Sequence, residues 1–71
     1  MIEVFKTNIT CADKALQLVE QIHNNFAGYK ANFDLEDCDR VLRVVTNSII
    51  TTCFIDWLKN YGCTAEVLPD N

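Results

Sequence analysis

The apolar residues of this chain keep switching between two spacings, and that alternation limits the folds open to it. Over residues 2–9, Phe5, Thr7 and Ile9 fall on every second position, as in a strand with one buried face. From Cys11 to Phe26 the spacing lengthens to three and four. Ala12, Ala15, Val19, Ile22 and Phe26, with Leu18 beside them, form the stripe of a helix whose Gln17, Glu20, Gln21 and Asn24 face water. Thr10 is placed to cap this helix, and Asp13 suits its positive end. Gly28 supplies a left-handed residue to close it.

Alternation returns over 30–36, with Ala31, Phe33 and Leu35 inward and Asn32, Asp34 and Glu36 outward. Asp37-Cys38-Asp39 reads as a hairpin turn and residues 40–45 as the returning strand. Thr46, Asn47 and Ser48 are stop-and-cap residues before a second helix reaching about Asn60. Its stripe is Ile50, Phe54, Trp57, Leu58 and Tyr61, with Cys53 as a small core residue. Gly62 ends it, residues 65–68 form a last strand, and Pro69 stops that strand. Strand, helix, strand, strand, helix, strand predicts an α+β fold, the ferredoxin-like βαββαβ sandwich, with both helices on one face of an antiparallel sheet. Right-handed crossovers then give the strand order 4-1-3-2. The expected core is Ala15, Leu18, Val19, Ile22, Phe26, Phe33, Leu35, Leu42, Val44, Phe54 and Leu58.

All 71 residues belong to one domain, 1–71. A core this small gives about 3–5 kcal/mol of stability. Ten acidic against six basic residues leave a net charge of −4, which repels phosphate backbones and argues against nucleic acid and anionic membranes as partners. Charges interrupt every apolar run, so no transmembrane helix is expected. The start, Met-Ile-Glu-Val-Phe-Lys, has neither a basic head nor an apolar run. A cytoplasmic location with four reduced cysteines is expected.

Two stretches resemble the heavy-metal-associated domains of the copper-chaperone type. Thr10-Cys11-Ala12-Asp13-Lys14 sits where that family carries its Thr-Cys-x-x-Cys metal loop. Asn60 to Val67 is similar to the turn after the family's second helix, with Cys63 in place of the aromatic residue of its Gly-aromatic pair. The resemblance implies the same βαββαβ scaffold. It also implies a degenerate metal loop, because Lys14 occupies the second cysteine's place and an ammonium cannot bind a soft cation. The implied function is a non-enzymatic binding or interaction module.

The predicted topology brings three of the four cysteines to one pole. Cys11, Cys38 and Cys63 lie in the three connections there, and three thiolates could hold Zn(II) or Cu(I). No pair has Cys-x-x-Cys spacing, and the plainer reading is three unrelated thiols filling small gaps. Cys11, at a helix N-terminus beside Lys14, is expected to be the most reactive. The acidic run Asp34, Glu36, Asp37 and Asp39 could attract a hard cation or a basic protein partner, but is better explained as the solvated side of an edge strand. His23, the one histidine, suits a helix C-terminus as a cation. No glycine-rich phosphate loop and no catalytic triad is visible, so no enzyme is expected. The sheet face left bare by the helices carries Val4, Val41 and Val45, which suggests a homodimer through that face.

Overall fold

In the computed structural model, which describes residues 1–36 and 38–68, the elements follow the predicted order. They are β1 (Ile2–Thr7), α1 (Ala12–Asn25), β2 (Lys30–Asp34), β3 (Val41–Val45), α2 (Thr51–Lys59) and β4 (Ala65–Val67). The sheet runs β2-β3-β1-β4 with every neighbouring pair antiparallel, which is the expected 4-1-3-2 order read from the other edge. Pro69 and the Asp37 position of the hairpin lie outside the described residues.

Register and alternation sort the strand residues into two faces. Phe33, Leu42, Phe5 and Val67 form one row across all four strands, and Ala31, Val44 and Glu3 form the next. These rows face the helices. Rows Lys30–Val45–Ile2, Asn32–Arg43–Val4 and Asp34–Val41–Lys6 face away. Of the valines expected on that open face, Val45 is exposed, Val4 is half-buried and Val41 is buried. The open face is therefore less apolar than the alternation suggests, with Ile2 and Val45 its exposed hydrophobic pair.

Phe5, Leu18, Ile22, Leu42, Val44, Phe54, Leu58 and Cys63 are sealed from water. The Phe54 ring lies 5.6 Å from Phe5, 5.3 Å from Phe26 and 5.7 Å from Tyr29. Trp57 extends this cluster along α2 to Tyr61, 4.6 Å away. One side chain of α2 thus touches the central strand and the segment leaving α1. Val19, Phe26, Phe33 and Leu35, expected in the core, are half-buried at its margin, while Phe5, Ile9 and Cys63 join it.

The helix starts differ from expectation. The N-cap positions are Cys11 and Ile50, and neither helix has a side-chain cap. Thr46 serves the sheet instead: its N–H donates to the Met1 carbonyl at 3.0 Å and its hydroxyl to the Ser48 carbonyl at 3.1 Å. Ile50, in extended conformation ahead of α2, is not part of the buried stripe and is 70% exposed. Cys53 is exposed rather than in the core. Phe54 and Leu58, four residues apart, point at the sheet, so Cys53 is turned about 100° away from them. His23 lies in the last turn of α1, as expected, and its Nε2 accepts the Ala31 N–H at 3.1 Å, which covers part of the β2 edge.

Truncating Phe54→Ala should cost about 3–5 kcal/mol, the whole stability of a chain this short. Cys53→Ala, adjacent in sequence but exposed, should stay within about 0.5 kcal/mol of the parent. Urea titrations followed by Trp57 fluorescence check both, and equal midpoints for the two variants would contradict this packing.

Candidate functional site

Three connections meet at one end of the sheet, and hydrogen bonds tie them together. The Thr64 N–H donates to Asn8 Oδ1 at 3.0 Å, joining the α2–β4 turn to the β1–α1 loop. The Thr7 N–H donates to the Asp39 carbonyl at 3.1 Å, and the Thr7 hydroxyl to the Arg40 carbonyl, joining β1 to the hairpin. Arg40 takes the left-handed region, with φ of 50°, at a position where the sequence offers no glycine. Its guanidinium holds the hairpin in shape by donating from Nη1 to the Leu35 carbonyl at 2.7 Å.

The three candidate thiols reach this pole in different states. Cys11 is exposed at the N-cap of α1, and its carbonyl accepts the Ala15 N–H at 3.0 Å. Cys38 is exposed in the hairpin. Cys63 is fully buried; its N–H donates to the Leu58 carbonyl at 3.0 Å, and its Sγ lies 3.9 Å from the Thr64 carbonyl oxygen. Burial pushes the Cys63 thiol up to about 11, and the positive charge of Lys14 only partly offsets that. At neutral pH Cys63 is therefore a buried, protonated thiol. Among the described residues no three His, Cys, Asp or Glu side chains are grouped closely enough to hold a metal ion.

Lys14 closes the first turn of α1 near the same pole. Half-buried, it reaches back over the α2–β4 turn. Its Nζ lies 4.0 Å from where a Cβ on Gly62 would stand, and Gly62 takes a φ of +78° that disfavours any side chain. The ammonium thus lies over the turn that carries Cys63. This Lys14–Gly62–Cys63 arrangement was not visible in the sequence, where Gly62 reads only as a helix terminator. The acidic run is dispersed. Asp34 stands opposite Val41, Glu36 is exposed, and Asp39 approaches Lys6 at 4.0 Å in an exposed pair of little energetic weight. At the other end of the sheet, Phe26, Tyr29, Thr46, Ser48 and the exposed Cys53 line an open cleft of about 410 Å³.

No family model matches the chain, and no curated protein matches it in sequence. Among solved structures it is similar to the yeast copper transporter domain Ccc2A, whose solution structure covers the apo and Cu(I)-loaded states. The two superpose with a TM-score of 0.78 over 99% of this chain and 97% of that one, at 14% sequence identity. No helix of the described residues is long and apolar enough to cross a membrane.

The raised Cys63 value has a consequence for stability. The native state keeps this proton to about pH 11, whereas a free thiol loses it near 9, so between those values the unfolded chain binds fewer protons. Stability tied to Cys63 is complete below pH 9 and falls as pH rises toward 11, by on the order of 2 kcal/mol. Denaturation midpoints measured across this range should lose that slope in Cys63→Ala; an unchanged slope would contradict a buried, protonated thiol. The superposition over nearly the full length of both chains, with the strand order β2-β3-β1-β4, gives the chain the ferredoxin-like fold of a heavy-metal-associated domain.

Proposed function

We propose that this chain is a non-enzymatic binding module on the heavy-metal-associated scaffold, one in which the place of the second metal-loop thiolate has been taken by an ammonium. The position of Lys14 carries this reading. A cation held over Gly62 and the Cys63 turn repels an incoming Cu(I), and it leaves Cys11 as a single exposed thiol where the family uses a pair. The buried, protonated Cys63 supports the same conclusion, since displacing its proton at neutral pH adds to the cost of recruiting it. Ccc2A is a copper transporter domain known in a Cu(I)-loaded state, and the present chain keeps that scaffold without a Cys-x-x-Cys loop.

A second reading uses Cys11 with Cys38 and/or Cys63 as a soft-metal or thiol-reactive site. The exposure of Cys11 and Cys38 at the same pole favours it. Native mass spectrometry of the reduced chain after incubation with Zn(II), Cu(I) and Hg(II) separates the two. The first reading predicts no stoichiometric adduct at micromolar metal. A one-to-one adduct that disappears in Cys11→Ser would replace it with the second.

A further inference from the structure

A groove runs between α1 and the free edge of β2, lined by Ala12, Leu16 and Val19 on the helix and Ala31, Phe33 and Leu35 on the strand. It measures about 340 Å³, and its lining is almost wholly apolar. Leu16, in the middle of its helical wall, is 66% exposed, an unusual state for a leucine beside an otherwise packed core. The edge next to it is a main-chain template. The Ala31 N–H points away from β3 to His23, so strand alternation turns the N–H and carbonyl of Phe33 to the same outer side. The start of the edge is closed by His23 on the Ala31 N–H. The open stretch is centred on Phe33, alongside the groove.

Charge indicates what fits there. Asp13 and Glu20 lie one turn before and after Leu16 on the solvent side of the helical wall, and both are exposed. Asp34, next to Phe33, projects on the open face of the sheet, and Glu36 beyond it is exposed too. Against these four carboxylates around the groove and the β2 edge stands the ammonium of Lys30, on the open face at the far end of the strand. A second copy of this chain would bring the same acidic rim against its own.

We infer that the β2 edge and the α1 groove form a docking site for an extended, basic segment of a partner protein. The segment adds as a fifth strand beside β2. Its main chain pairs with Phe33, alternate apolar side chains enter the groove against Leu16 and Val19, and the Lys or Arg side chains between them project on the open face beside Asp34, while Asp13 and Glu20 add negative potential from the helix side. This deepens the reading of the chain as an interaction module and supplies the chemistry of its partner. It uses neither the thiols of Cys11, Cys38 and Cys63 nor the ammonium of Lys14, so the metal-uptake experiment and the one below can fail separately.

The test is titration of the isotopically labelled chain with a blocked hexapeptide of alternating lysine and valine, followed by amide NMR. The expected result is a saturable shift of the Phe33 amide with slowed hydrogen exchange there. Binding should weaken by about tenfold or more with Leu16→Lys, and likewise in half-molar salt. Because Leu16 is exposed, that variant keeps the fold, which its unperturbed core resonances would verify. The glutamate–valine counterpart should leave Phe33 unshifted. No shift with the basic peptide, equal binding of the acidic one, or shifts confined to the β4 edge around Glu66 would each overturn the proposal. Concentration-dependent dimerisation through Phe33 in the absence of peptide would also overturn it, by making a second copy the occupant.

Discussion

The contact of Phe54 with Phe5 joins the second helix to the central strand, and the placement of every other element follows from it. In a chain of 71 residues few side chains are sealed from water, so a single large ring carries an unusual share of the packing. Phe54 meets Phe26 and Tyr29 as well, which anchors the segment between α1 and β2 to the same point. With α2 fixed there, Leu58 faces the core and the chain leaves the helix at Gly62 directly above Cys63. The geometry of the candidate site is thus set from the core outward.

That geometry gives the scaffold and the site different characters. The fold superposes on a copper transporter domain across nearly its full length. On the function proposed above, the loop differs from a two-thiol metal loop at Lys14, whose ammonium is held against the α2–β4 turn. The ammonium lies against Gly62, and the neighbouring Cys63 is a neutral, buried thiol. A lysine that merely hung in solvent would say little; one folded over the turn holds a positive charge close to Gly62 and Cys63. The groove beside β2 uses neither Lys14 nor the thiols and depends on other features: an exposed leucine, an open strand edge and nearby carboxylates.

Periodicity carried most of the fold. The switch from alternate positions to three-and-four spacing placed all six elements, and two helices over four strands left one sheet order compatible with right-handed crossovers. The errors have local causes. Ile50 continues the apolar pattern of α2 numerically, but the chain is extended there, so the pattern does not correspond to a helical face. Thr10 and Ser48 are good capping residues by type, yet the helices begin one and two residues later than those caps require. Cys53 and Cys63 were exchanged in character, since a thiol has no sequence signal that separates a core position from an exposed one. His23 falls in the last turn of α1 as expected, but its contact with Ala31 depends on how α1 lies against β2. At the pole, topology correctly gathered the three connections, but not the depth of Cys63 or the reach of Lys14, which are set by packing between segments distant in sequence.

On the function proposed above, Lys14 is what separates this chain from a two-thiol copper site. Lys14→Cys completes the Thr-Cys-x-x-Cys pattern from Thr10 onward without touching the sealed core. Cu(I) competition against a colorimetric chelator, run in parallel on parent and variant under reducing conditions, measures the difference directly. The variant should withdraw one Cu(I) per chain under conditions where the parent withdraws none. A parent that competes as well as the variant, or a variant no better than the parent, would contradict this role for Lys14.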